Sequence, residues 1–290
     1  MGNELRKHAF LIIAHNEFEV LQKLIDALDD TRNDIYVHID GKIKNVPKLE
    51  AVHSHLNILK NRIKVIWGDV TQIACEIRLM EEAVYSGNVY AFYHIISGVH
   101  YPLISNRKLS EFFEPYTGKS VLQCMDSSIQ EVEMRLGKFH FFLGYFNSRF
   151  ALIRKVSRIL WVAFLSVEKR MKINRDCSYQ GGKASNWCSL SNEAVHFILS
   201  DKEKILKRFG KTFCADEFFV PSVIKEHHLP VVYSDKLLYA NFVHYTPKVL
   251  TINDYDALMK SGCLFARKIT SDNMELINRI SDGKNQYLCN

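Results

Sequence analysis

The sequence predicts an α/β fold: a mostly parallel sheet flanked by helices on both faces. Three observations carry this. Over the first 128 residues, short β-branched and aromatic runs alternate with amphipathic stretches, the pattern of consecutive β-α-β units. The first such unit is complete within residues 9–39, and its crossover is expected to be right-handed. The chain has 290 residues, 47% apolar and 24% charged, enough to bury the core of one large α/β domain.

The elements follow in order. Residues 9–14 (AFLIIA) predict a strand, and Val20, Leu21, Leu24, Ile25 and Leu28 then recur at helical spacing. A second strand covers 35–39 (IYVHI) and a third 64–67 (KVIW). Thr71 is placed to cap a helix that carries Ile73, Ile77, Met80 and Val84. A fourth strand at 90–96 runs into Ser97-Gly98-Val99-His100-Tyr101-Pro102, followed by a short helix over Leu109–Phe113 and a strand at 120–125. The pattern changes over 129–182, a segment rich in aromatic and basic residues. Order returns at Trp187 with a short strand, a helix over 192–207, a further helix from Ala215, a strand at 230–234, and a helix to Ser261 capped by Asn253 or Asp254. No internal repeat or low-complexity linker interrupts the chain, so one compact domain with an elaborated middle is expected.

Composition narrows the class. Lys and Arg exceed Asp and Glu by six, a mild excess that suits a phosphate-bearing ligand, an anionic membrane or an evenly basic surface. The seven cysteines (75, 124, 177, 188, 214, 263 and 289) are odd in number, lack metal-ligand spacing and mostly sit in apolar runs, which points to a reduced, cytoplasmic protein without structural zinc. The first residues, MGNELRKHAF, carry no signal-peptide core and pass directly into a strand, and no apolar run is long enough to span a bilayer. Neither GxGxxG nor GxxxxGK[ST] is present, which argues against a dinucleotide-binding dehydrogenase and a P-loop protein. Paired acids of a nucleotidyltransferase metal site are also missing, and no RNP-like aromatic motif suggests nucleic acid.

Ligands of open α/β sheets bind at the carboxyl ends of strands. His15-Asn16 and Asp40 end two strands that would be neighbours, so Asp40 either accepts hydrogen bonds from a nucleoside or closes a turn with Gly41, while Asn16 either lines the pocket or caps the next helix. Trp67, before Gly68-Asp69, is a stacking wall for a base or a core residue. Asp216 and Glu217 stand at an expected helix start, where the dipole favours acids; in aromatic surroundings a glutamate there also suits a general base. Arg267 and Lys268 point to opposite sides if extended, so one of them faces a cleft and neutralises a phosphate, or both are solvated.

Taken in order, AHN…HID, WGD…E, SGxxYPL, NWxSLS, DE and LFARK resemble the core-2/I-branching N-acetylglucosaminyltransferase and peptide-O-xylosyltransferase family, glycosyltransferase family fourteen, over roughly residues 8–270. The segment 129–182 matches poorly. The resemblance implies a GT-A-like, Rossmann-type domain with a nucleotide-binding half over 8–128, an acceptor and catalytic half over 129–270 and a C-terminal tail over 271–290. It implies inverting transfer from a UDP-sugar, with GlcNAc or xylose as the sugar, and no cofactor or divalent metal, basic side chains holding the diphosphate instead.

By position, the resemblance gives Glu217 as the catalytic base, Asp40 as the nucleoside contact, Trp67 beside the uracil, and Lys268 on the diphosphate. His15, Asn16 and Arg267 join the donor side, and His100, Asn186, Trp187 and Asp216 line the acceptor or donor sugar. Two departures stand out. Relatives read Ser-Gly-x-Asp where His100 stands, and the family's second diphosphate cation, an arginine, is replaced by Tyr245, with Lys248 or Arg267 as substitutes. Without an anchor helix, stem or disulfide framework, a bacterial-type cytoplasmic enzyme is expected, acting on a glycan or lipid-linked glycan in surface polysaccharide synthesis. The alternative is a non-catalytic nucleotide- or carbohydrate-binding α/β protein. Residues 149–175 interleave bases with apolar residues, as a helix lying on an anionic membrane would; the favoured alternative is an ordinary helix that packs its apolar side on the domain.

Overall fold

The computed structural model describes residues 7–175, 181–243 and 246–286. β1 (His8–Ala14) and β2 (Asn33–Ile39) pair in parallel, from His8 opposite Asn33 to Ala14 opposite Ile39. Helix α1 (Phe18–Leu28) joins them and buries Val20, Leu21, Leu24, Ile25 and Leu28, the stripe its spacing predicts.

The third strand lies elsewhere than expected. β3 is His55–Ile58, pairing in parallel with Asp34–Val37, whereas residues 62–66 form no strand. The apolar run 63–66 satisfies its backbone through loop bonds: Ile63 N donates to His38 Nε2, Ile63 O accepts from Gly41 N, and Val65 O accepts from Lys42 Nζ. β3 (HLNI) is a partly exposed edge strand whose mixed polarity hides it from a hydrophobic pattern. In α2 (Thr71–Tyr85), Thr71 does not cap; Val70 is the N-cap, and Thr71 Oγ1 accepts from Ile66 N at 2.8 Å.

β4 (Phe92–Ser97) flanks β1 on its other side in parallel, followed by β5 (Tyr101–Pro102) and α3 (Asn106–Phe113), capped by Ser105. The strand expected over 120–125 divides at Gln123 into β6 (Ser120–Leu122) and β7 (Cys124–Met125). Two helices occupy the middle, α4 (Ile129–Leu136) and α5 (Ala151–Arg170). β8 (Lys183–Ala184) pairs with β7, and β9 (Ser189–Ser191) runs antiparallel between β4 and β6. The helix expected over 192–207 breaks at Asp201 into α6 (Asn192–Ser200) and α7 (Lys202–Phe209). Ser200-Asp201 disfavours helix interiors, and the Asp201 carboxylate is engaged by His227 at 2.9 Å.

A 3₁₀ turn at Ala215–Glu217 precedes α8 (Phe219–Glu226), β10 (Val231–Tyr233) and β11 (Leu238–Ala240). β12 (Phe242–Val243) and β13 (Thr246–Pro247) form a small antiparallel pair. Then come α9 (Tyr255–Lys260), β14 (Phe265–Arg267) and α10 (Met274–Gln286). Before α9, the cap is a Thr251–Asp254 capping box around a 3₁₀ turn, not Asn253.

The main sheet has the order β10-β6-β9-β4-β1-β2-β3, parallel except for β9. One apolar cluster lies under α2 and α6–α8, and another under α1, α3 and the second sheet, β11-β14-β5. That second sheet carries the LFARK segment to the strand ends of the first. Gly98 makes the approach of β4 to β1 possible: a Cβ there would lie 2.9 Å from Ala14 Cβ.

Candidate active site

The first corner is built at the ends of β1 and β2. Asp40 N donates to Ala14 O at 2.8 Å, so His15 and Asp40 do stand side by side. The Asp40 carboxylate accepts from Lys42 N at 2.8 Å and pairs with Lys42 Nζ at 3.2 Å, closing the turn at Gly41. Much of the His15 ring reaches solvent, yet partial burial lowers its pKa; Asp40 opposes this, and Lys268, Lys42 and Arg267 reinforce it. These groups therefore share one electrostatic neighbourhood. Asn16 is half-buried and does not cap α1; Glu17 holds that position, with φ of 53° and no cap bond. Glu17 instead accepts from Ser271 N at 2.7 Å, which ties the β1–α1 turn to the chain just beyond Lys268.

Arg267 and Lys268 both act on His15 through their charge, so both stand near the end of β1. The Arg267 guanidinium lies 5.1 Å from the Trp187 ring centre, its Nε buried without a hydrogen-bond partner, and desolvation lowers its pKa. Lys268 is half-buried and turned toward Glu17 and His15. His100 is only 1% exposed and packs edge-on against Trp187 and Phe265. Its Nδ1 accepts from Ser97 N, so the neutral ring carries its proton on Nε2, which is buried and unpartnered. Burial, then Arg267, holds its pKa well below the usual histidine range. His100 is thus enclosed beneath Trp187 and close to the charge of Arg267. The Lys248 ammonium is taken by Asp254 Oδ1 at 2.8 Å, and Tyr245 lies outside the described residues.

The second corner is formed by residues 67–72 and 213–217. Trp67 is 54% exposed and edge-on to Phe213 at 5.4 Å, so it is not a core residue. Gly68, with φ of 77°, accepts from Cys214 N, and its own N–H donates to Gln72 Oε1. A Cβ on Gly68 would sit 2.8 Å from the Phe213 ring, so the close approach requires glycine. Gln72 Nε2 in turn donates to Asp216 Oδ2 at 2.9 Å. Cys214 has φ of 49°; with Glu17, it places a non-glycine left-handed residue at each corner, the sort of backbone cost that persists where geometry is functionally constrained.

Glu217 Oε2 accepts from Arg135 at 2.5 Å and lies 3.4 Å from Lys183 Nζ. Glu131 bonds the same two cations. Asp216 is buried, and its pKa is pushed up to about 7, first by desolvation and then by the charge of Glu217. Glu76 on α2 is fully enclosed with neither carboxylate oxygen hydrogen-bonded; burial, then Asp216, raises its pKa well above normal.

The two corners are linked twice. Along α2, Cys75 feels the charge of Asp40 while Glu76 feels that of Asp216. Along the chain, Lys183 touches Glu217, and half-buried Asn186 leads into Trp187 beneath Arg267. Sequence reasoning missed Arg135, Lys183, Glu131, Gln72 and Glu76. Among the described residues, no group of three or more His, Cys, Asp or Glu side chains is placed to hold a metal ion.

A family model described as core-2/I-branching enzyme matches residues 8–257, and the chain belongs to that family of glycosyltransferases. No curated protein matches the chain.

Proposed function

We propose that this protein is an inverting glycosyltransferase that moves a sugar, GlcNAc or xylose, from a UDP-sugar to a hydroxyl of a glycan or lipid-linked glycan, without a divalent metal. The observation that carries the reading is the arrangement of charge. Two cations converge on the ends of β1 and β2, and a fixed carboxylate stands at the other corner, on the same side of the sheet as α2.

In this reading, Asp40 and His15 flank the nucleoside, with Asn16 beside them, and Trp67 offers its exposed face to the base. Lys268 and Arg267 take the diphosphate. Arg267 is the better second cation than Lys248, whose ammonium is occupied by Asp254. Glu217 removes the proton from the acceptor hydroxyl as its oxygen attacks the anomeric carbon. The bond to UDP breaks on the opposite face, and the developing charge on the β-phosphate is met by the two cations. Arg135 and Lys183 fix the carboxylate through Oε2, so Oε1 is the oxygen that takes the proton. Asn186 and Trp187 border the sugar, while Asp216 and His100 support them from behind. The setting we assign is bacterial surface polysaccharide assembly on the cytoplasmic side.

The test is turnover. Incubated with UDP-GlcNAc or UDP-xylose and candidate glycans, the protein should release UDP and yield a product of inverted anomeric configuration. Glu217→Gln should lose on the order of 10²–10⁴-fold in rate. Turnover by Glu217→Gln at the native rate would remove the base from this mechanism.

A further inference from the structure

Helix α5 is turned inside out. Its buried residues are polar, Ser157 and Glu168, and with Arg154, Trp161 and Leu165 they form its inward stripe. The inward contacts are specific: Trp161 Nε1 donates to His140 Nδ1 at 2.9 Å, and Glu168 Oε1 accepts from Phe139 N at 3.1 Å. The apolar side faces solvent. Leu152 is 72% exposed and Ile159 57%, with Ile153, Val156, Leu160 and Val167 beside them. At 3.6 residues per turn these side chains cover an arc of roughly 120° with no charged member except Arg170 at its C-terminal end. The ordinary-helix expectation, with the apolar side packed on the domain, is therefore overturned.

Charge indicates what covers this face. Lys155, Arg158 and Lys169 line one flank, and the helix's sole acid, Glu168, points inward. A second copy of the chain laid across the face would bring like charges together, whereas phosphate headgroups would neutralise them. The helix is also not one that crosses a bilayer, since among the described residues none is long and apolar enough to do so.

We propose that α5 lies in the plane of an anionic membrane, its apolar arc among the acyl chains and its basic flank on lipid phosphates. The exposed aromatic Phe150 and the exposed Met171 at its two ends extend the surface. The position also bears on catalysis. Trp161 packs on Phe213, the residue that leads into Cys214-Ala215-Asp216-Glu217. A lipid-linked acceptor would then meet the second corner at the membrane surface; this extension rests on the proposed function, whereas lipid binding does not.

Flotation of the full chain with vesicles tests it. At about 0.05 M salt it should float with phosphatidylcholine–phosphatidylglycerol vesicles, and about tenfold less with phosphatidylcholine alone or at about 0.5 M salt. The combined variant Leu152→Ser, Ile159→Ser, Leu160→Ser keeps every charge and changes only exposed side chains. It should retain its Tm and UDP affinity while losing about tenfold in vesicle binding. Absence of flotation with anionic vesicles at low salt overturns the proposal. So does a triple variant that floats as the native chain does, or a dimer in sedimentation velocity that the triple variant dissociates.

Discussion

At the strand-end corner, Lys268 and Arg267 form no ion pair among the described residues, and Arg267 is desolvated against Trp187 at a cost to its own charge. At the other corner, Glu217 is held by two cations before any substrate arrives. The difference is one of timing. Cations outside any ion pair gain a close counter-charge when an anion binds, so on the proposed reading that corner stores affinity. A carboxylate already fixed in position has little reorganisation left to make, so the other corner stores rate.

Substitutions that separate affinity from rate test this contrast, and the largest effect is expected at Glu217, the proposed base. Glu217→Gln should lower kcat on the order of 10²–10⁴-fold and leave the Kd for UDP within about twofold, read by turnover and calorimetry. Next comes Lys268→Ala, which should weaken UDP by about ten- to a hundredfold, the worth of a charge-assisted hydrogen bond. If both variants lost affinity and rate together, the two corners would not be distinct.

Two smaller effects depend on pH. Asp216 is raised to about 7 from an ordinary 3.8, so its contribution to stability is full below about 3.8 and is lost as pH rises through about 7. Its ionisation beside Glu217 should put a limb near pH 7 in the rate profile that Asp216→Asn lacks. His8 and His140 behave oppositely. Burial lowers both from 6.5 to about 4, so the stability they contribute is complete above 6.5 and is lost as pH falls toward 4. Thermal unfolding should show Tm falling between pH 7 and 5, and this slope should persist in Asp216→Asn, because Asp216 is not among the charges that act on His8 or His140.

The two corners also differ in how far the sequence discloses them. His15 and Asp40 end strands that strong apolar runs announce, so alternation alone brings them near one another, whereas Arg267 and Lys268 arrive from β14 in the second sheet, which the apolar pattern does not announce. The Glu217 corner depends on Arg135 and Lys183, which come from α4 and β8 across the segment with the least pattern. No spacing rule joins residue 135 to 217; only the tertiary fold does. The same limit explains β3, whose mixed polarity gives no alternation, while the more apolar 63–66 is used as a loop. It explains α5 as well. Its amphipathic period is plain in the sequence, as is that of α1, but period does not say which face turns inward. In α1 the apolar stripe seals the sheet. In α5 the attachment comes from Trp161, the buried Glu168 and the packing of Phe164 on Phe141, and most of the apolar face is left outside.

The central claim is that side-chain cations hold the diphosphate in place of a divalent ion. Calorimetric titration of UDP into the native protein, once with EDTA and once with manganese, tests it most directly. The account predicts the same Kd in both, and a similar loss in both when Lys268 is replaced by alanine. UDP binding that vanishes in EDTA and is indifferent to Lys268→Ala would contradict it.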